Sequence, residues 1–194
     1  ASSTTGVPLT DTTKLVLQTI SADQTGANGN TYAAISTNAV DYSGTTPKRG
    51  WYMNLPKSGQ RNVYPLDLLA TRFALADTIS PSNVSLDPCV NTSGGTGFQY
   101  IFDALTGAGP TEAILDTNGD GSVTAADLIV SGVAGSADGR NVSIVISSNA
   151  QSTKYANVSA QSGATLVQIS CRLTGTCLTS STGLKHQVRQ LFLR

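Results

Sequence analysis

Short stretches in which apolar and polar residues alternate recur along the whole chain, each closed off by Gly, Asn, Asp, Ser or Pro. Residues 14–20 (KLVLQTI) follow the period of two expected of a strand with one buried face. Residues 31–36, 50–55 (GWYMNL), 62–64 and 98–104 (FQYIFDA) read the same way. Residues 22–30, rich in Gly and Asn, and residues 41–49 are turn-rich connections, and Pro56-Lys57-Ser58-Gly59 is a turn signal. Residues 66–76 (LDLLATRFALA) have no decisive period and are assigned to strand. Residues 79–97, with two prolines and the run SGGTG, read as one long loop, and Leu105-Thr106-Gly107 closes the strand that follows it. Residues 113–115 lead into an acidic loop, and residues 128–132 after it suit a short helical turn or a strand. Four further short strands are expected at 141–147, 153–158, 164–170 and 187–193. The first 13 residues are polar and read as a flexible linker, leaving 14–194 as a single domain. Strand groups recur at the roughly 40 to 50 residue spacing of propeller blades. The expected class is all-β, with many short antiparallel strands in a sandwich, a barrel or part of a propeller.

Composition agrees with strands over helices. The 194 residues include 47 Ser plus Thr and 19 Gly, whereas charged residues are only 12 %. Eleven of the 12 acidic residues are Asp and only Glu112 is Glu, so the usual helix-surface residues are scarce. The net charge is zero and no basic run exists, which argues against a nucleic-acid footprint or an anionic-membrane patch. No apolar stretch approaches the roughly 18 residues of a membrane span. The chain begins with Ala and shows no signal peptide, and it reads as a processed or excised piece.

The sharpest chemical signal is the segment from Asp116 to Asp127, DTNGDGSVTAAD. Oxygen-bearing side chains occupy loop positions 1, 3 and 5, glycine position 6, an apolar residue position 8 and a carboxylate position 12. That is the spacing of an EF-hand calcium loop. Asp116, Asn118 and Asp120 are the expected side-chain ligands, Ser122 a backbone-carbonyl ligand and Asp127 the closing carboxylate, with Thr124 placed to hold a water. Asp127 is one methylene shorter than the usual Glu, which weakens bidentate closure and sets affinity in the range of about 10⁻⁴ to 10⁻⁶ M. The competing reading is a metal-free Asp/Asn/Gly turn. Helices on both sides are not expected, because Gly107 and Pro110 interrupt the chain upstream.

Other candidate chemistry is thin. His186 is the single histidine and lies in a Lys185-His186-Gln187 strand start, so no Ser-His-Asp site forms around it. Asp77 and Asp87 have no spacing that ties them to a sugar cleft. Ser93-Gly94-Gly95-Thr96-Gly97 lacks the Lys-Ser/Thr ending of a phosphate loop. Trp51 and Tyr52 suit core aromatics better than a ligand site. Cys171 and Cys177 flank a hairpin-like tip and are candidates for a local disulfide. With Cys89 there are three possible single pairings, and spacing does not choose among them. No zinc spacing is present. The low-Lys, Ser/Thr-rich surface suits an extracellular or periplasmic compartment.

Taken in order, these blocks resemble a family. The run from Lys48 to Arg61, KRGWYMNLPKSGQR, is similar to the "GWYxDLPxSGER" segment of PilC/PilY-type type IV pilus tip proteins. Asp87-Pro88-Cys89, then Gly94-Gly95-Thr96-Gly97, then the run from Phe102 to Gly107, FDALTG, resembles that family's "DPC…GGTGW…LDALTG". The acidic loop follows where the family often carries "DxNGDG". The resemblance covers residues 14–135 and weakens over 140–194, where Gln187 to Leu191 is only faintly similar to a terminal "SWRQL". Asn54 replaces the family's Asp, Gln60 its Glu, and Phe98 stands where Trp is common. The resemblance implies the C-terminal part of a β-propeller, its last three or four blades, with the calcium loop as an insertion. It implies a non-enzymatic protein at the pilus tip, on the cell surface and reached through the periplasm. The implied partners are minor pilins or other tip subunits, a host or abiotic surface, and further propeller segments or another chain that complete the ring. The implied roles are pilus biogenesis, twitching motility and adhesion, modulated by Ca2+. Two other readings compete: a dockerin-like module, which needs two such loops where this sequence has one, and a carbohydrate-binding extracellular β module built on Trp51 and Tyr52.

Overall fold

The computed structural model describes residues 12–62, 64–69, 72–81, 96–136, 144–148, 152–159 and 163–170. Among these there is no α-helix. A single 3₁₀ turn, Thr12–Lys14, leads into β1 (Leu15–Gln18). There follow β2 (Gln24–Thr25), β3 (Thr31–Ala33), β4 (Gly50–Met53), β5 (Arg61–Asn62), β6 (Asp67–Leu69), β7 (Phe73–Ser80), β8 (Thr96–Asp103) and β9 (Gly132–Ser136). The last three described strands are β10 (Ile144–Ser148), β11 (Ser152–Ser159) and β12 (Gly163–Ser170).

A seven-stranded sheet dominates, in the order β2-β3-β9-β8-β7-β5, with β6 also paired to β7. All its pairings are antiparallel, and the longest joins β7 to β8 over eight residues from Phe73↔Asp103 to Ser80↔Thr96. A second sheet, β10-β11-β12, is a three-stranded antiparallel meander. The third is a two-stranded ribbon in which β1 and β4 run parallel, in the register Leu15↔Gly50 to Gln18↔Met53. This corrects the expectation of antiparallel strands throughout. An alternating pattern specifies which face is buried but not the direction of the neighbour, and the long 19–49 connection lets β4 return alongside β1.

Three boundaries also differ from expectation. The 66–76 stretch is a hairpin of β6 and β7 that turns at Arg72, not one strand. The loop expected over 79–97 gives up its ends to β7 and β8, because Ser80 and Thr96 extend the ladder they flank. Residues 128–131 are irregular, and the strand begins at Gly132.

The central sheet is buried on both faces, as the register requires. Directly opposed residues share a face, so Phe73, Leu75, Ile101 and Val133 line one side, where Tyr32, Ile114, Leu115 and Val130 pack onto them. Ala74, Ala76, Phe98, Tyr100 and Phe102 line the other side, with Ala33 and Ile35 in the same cluster. Trp51, Met53 and Leu55 from the ribbon and its exit cover this second face. Phe98 and Tyr100 stack at 4.8 Å, and their rings lie over Gly132, where a Cβ would meet Tyr100 Cδ1 at 2.7 Å and Phe98 Cε1 at 2.8 Å. Glycine at this position is what lets the aromatics cross β9.

Candidate metal-binding loop and its setting

Apolar residues anchor both ends of the acidic loop. Ile114 and Leu115 before it and Val130 after it are almost fully buried in the first face of the sheet. Ser131 fixes the exit: its N–H donates to Ala33 O at 2.8 Å, its Oγ accepts from Ile35 N at 3.0 Å, and its carbonyl accepts from Ile101 N at 2.6 Å. The entrance is tied to the 26–30 turn. Asp116 O accepts from Asn28 Nδ2 at 3.1 Å and from Tyr32 OH at 3.3 Å, and Asn28 N donates to Thr117 O at 3.2 Å.

Within the loop each acidic or amide side chain accepts amides further along the chain. Asp116 takes Gly119 N at 2.6 Å on Oδ1 and Gly121 N at 2.9 Å on Oδ2. Asn118 Oδ1 takes Asp120 N at 2.9 Å, and Asp120 Oδ1 takes Ser122 N at 2.8 Å. Asn118 Nδ2 also donates to Asp120 Oδ2 at 3.2 Å. These nested turns need left-handed backbone at Gly119 (φ 80°) and Gly121 (φ 82°), which glycine adopts without a Cβ penalty. These turns keep the oxygens of positions 1, 3 and 5 in the order a calcium loop uses.

Asp127 is held differently. It is buried, and its Oδ1 accepts from Thr117 N at 2.8 Å, Thr117 Oγ1 at 3.2 Å and Asn118 N at 3.2 Å, while Oδ2 accepts from Thr124 N at 2.8 Å. Burial alone would push its carboxyl up; the hydrogen bonds from Thr124, Thr117 and Asn118 outweigh it and hold the group below the ordinary aspartate value near 3.8. Asp127 thus staples the two ends of the loop together.

Positions 1, 3 and 5 offer hard oxygen donors whose second lone pairs are uncommitted, and they fit a calcium ion in chemistry and order. Position 12 fits less well. Three donors already crowd Asp127 Oδ1, which leaves at most one oxygen for a cation. Consistent with this, no group of three or more His, Cys, Asp or Glu side chains that could hold a metal is gathered among the described residues. Ser122 is exposed at the rim of the loop. The buried Thr117, which links Asp127 to Leu128 N (2.9 Å from its Oγ1), is a part of this site that spacing alone does not single out.

Trp51 and Phe102 meet on the opposite side of the sheet, whereas Asp103 and Asp77 share the loop's side. Trp51 packs edge-on against Phe102 (5.2 Å, 70°), donates from Nε1 to Ala104 O at 3.2 Å and lies over Gly107, where a Cβ would come within 2.3 Å of its ring. It is a packing residue, as expected. Asp103 caps the following turn by accepting Leu105 N at 2.8 Å and Thr106 N at 3.0 Å on Oδ1, and its Oδ2 pairs with Arg72. Gln60 bonds Thr78 Oγ1 at 2.7 Å and Tyr100 OH at 3.3 Å. Asp77 is buried and accepts from Gln99 Nε2 at 2.6 Å, far from the geometry of a catalytic pair. Cys89, Cys171, Cys177, His186, Asp87 and the strand expected over 187–193 lie outside the described residues, as do residues 1–11 of the linker.

Sheets that are antiparallel apart from one two-stranded ribbon, a core on both faces of the largest and an acidic loop docked on one of them define an all-β protein. The chain resembles a solved structure, the C-terminal domain of PilY1 from Pseudomonas aeruginosa, with a TM-score of 0.55 and 20 % sequence identity. The likeness covers 80 % of this chain and 32 % of that one, so this chain spans about a third of its length. At this identity the likeness establishes a shared fold. No protein-family profile and no curated protein matches the sequence.

Proposed function

We propose that this chain is a calcium-binding, non-enzymatic part of a type IV pilus tip protein, acting in pilus biogenesis, twitching motility and surface adhesion. The observation that carries the proposal is the meeting of two sequence blocks in a fold like that of the PilY1 C-terminal domain. Trp51 of GWYMNLP seats on Phe102, Ala104 and Gly107 of FDALTG. In this reading minor pilins or tip subunits are the partners, further propeller segments complete the ring, and the protein sits outside the cell. Among the described residues no helix is long and apolar enough to cross a membrane. Ca2+ binds through Asp116, Asn118 and Asp120, with Ser122 at the rim and Asp127 closing the loop. Deleting the gene should abolish surface pili or twitching; normal piliation, motility and attachment would refute the pilus role. For the metal, a thermal melt with chelator and then with millimolar calcium should show a higher Tm with calcium. Asp120→Ala should remove that response more completely than Asp127→Ala, because Asp127 is committed to amides. An unchanged wild-type Tm with no binding heat in calorimetry would refute the calcium reading.

A further inference from the structure

The turn after β8 is tied to a distant connection by one buried amide. Gln18 donates from Nε2 to Asn38 O at 2.7 Å and to Thr106 O at 2.9 Å, and its Oε1 accepts from Asn38 N at 3.1 Å. Gly109 adds a second tie by donating to Ser36 O at 3.1 Å. The two segments held in this way, residues 37–39 and 106–111, line a cavity of about 320 Å³, at the small end of ligand-sized pockets. Arg72 enters its lining from the hairpin between β6 and β7. The Arg72 carbonyl accepts from Ala104 N at 2.8 Å and its Nε donates to Asp103 Oδ2, so backbone and side chain are both fixed.

The pair is an anchored donor with capacity to spare. Asp103 is buried, and its Oδ1 already accepts Leu105 N and Thr106 N, so Arg72 meets a carboxylate whose charge is shared with two amides. A guanidinium carries five N–H donors, and only the Nε–H is used. Among the described residues the two terminal amino groups of the exposed Arg72 make no hydrogen bond or ion pair. Thr37 and Thr111 on the same lining are exposed, and neither hydroxyl is bonded among those residues. Arg72 and Asp103 are the charged lining residues, so the cavity suits a singly charged anion better than a dianion. The flat end of a guanidinium matches a carboxylate through two parallel bonds. Ala39, Ala108 and Pro110 supply an aliphatic wall. The lining ring, Phe73, is buried, which leaves no aromatic face for a sugar or a base to stack on. Thr37 and Ala39 also leave their backbone groups unbonded among the described residues, where an entering peptide backbone would find partners.

We propose that this cavity captures the C-terminal carboxylate of a partner polypeptide. Arg72 grips the carboxylate, Thr37 and Thr111 donate their hydroxyls to it, and the aliphatic wall takes the last side chain. The site uses no metal and does not rest on the calcium reading or on the pilus reading.

The test is calorimetric titration of the chain with acetyl-Ala-Ala-Val bearing a free C-terminal carboxylate, and with the same peptide amidated. The acid should bind, and the amide should bind about tenfold more weakly or not at all. Arg72→Lys keeps a cation beside Asp103 but loses the fork, and should weaken binding about tenfold. Thr111→Val removes an exposed hydroxyl that bonds nothing among the described residues, so it should weaken binding about threefold at an unchanged Tm. That variant separates binding from folding, should Arg72→Lys lower the Tm. Asp120→Ala should leave peptide binding as it was, even where it abolishes a calcium response. Equal binding of the amidated peptide, wild-type affinity in either cavity variant, or loss of binding in Asp120→Ala would each overturn the proposal. So would tighter binding of glucuronic acid or of inorganic phosphate than of the free-acid peptide.

Discussion

The two faces of the central sheet are covered by opposite means. On one face the cover is a ribbon of regular strands, and the contact is made by rings: Trp51 against Phe102, and Phe98 on Tyr100 above Gly132. On the other the cover is an irregular segment, residues 108–131, whose shape comes from carboxylates accepting backbone amides. Its apolar contribution is confined to the anchors Ile114, Leu115 and Val130. The ribbon face is held by packing, which is sensitive to volume. The loop face is held by satisfied polar groups, which are sensitive to protonation. One sheet therefore carries a rigid side and a chemically responsive side.

The largest expected effect would come from breaking the ribbon face. Trp51→Ala should cost about 3 kcal/mol, the low end for a large aromatic because Trp51 is only half-buried. Urea unfolding would measure it, and a loss under about 1 kcal/mol would mean that packing does not dominate there. Gly132→Ala should cost about 2 kcal/mol, since the added methyl meets Tyr100, Phe98 and, at 2.9 Å, Gln99 O. Gly107→Ala sharpens the comparison through coupling. Its cost should drop in a Trp51→Ala background to the roughly 1 kcal/mol of left-handed backbone strain at φ 67°, because the ring it strikes is gone. Strictly additive losses would disprove the contact.

The loop face should respond to chemistry instead of volume. Asp127→Asn is nearly isosteric, yet should cost about 1 to 2 kcal/mol, because an amide group would confront Thr124 N or the Thr117 and Asn118 amides. The pH dependence has a definite sign. Asp127 has a folded pKa below its unfolded one, so its stabilisation is present above the unfolded value near 3.8 and is lost as pH falls through the folded value. The acid limb of a Tm-against-pH curve should flatten in Asp127→Asn and stay unchanged in Trp51→Ala. This is the smallest effect, and an identical acid limb in wild type and Asp127→Asn would remove Asp127 from the argument.

The responsive face was the more legible in sequence. Asx and glycine chemistry is local, so the DTNGDG order announces its nested turns before any tertiary contact is known. The roles of Asp116, Asn118 and Asp120 as amide acceptors follow from the same short-range logic. The rigid face was legible only in outline. GWYMNL and FQYIFDA alternate as strands do, but nothing in either says that they meet or that β4 runs parallel to β1. The hairpin at Arg72 lacks turn residues, so it hid inside an apolar run. Leu128 and Ile129 look like core and are exposed, because Ser131 fixes the backbone so that only Val130 points inward. Gln18 is wholly buried and fully bonded: it donates to Asn38 O and Thr106 O and accepts from Ser36 Oγ and Asn38 N. No sequence rule places a glutamine there, because its partners come from two distant connections.

The pairing of β3 with β9 bears on how the molecule forms. Ile35 and Ser131, bonded beside that seam, are 96 residues apart, and Tyr32 meets Val133 across it. Contacts of such high sequence separation are reached late, after most of the loop-closure entropy has been lost. During synthesis β3 therefore waits without its partner until β9 has emerged, and β8 shows a bare edge for the same interval. A chain cut short before Gly132 would keep that edge permanently and be prone to pair with copies of itself.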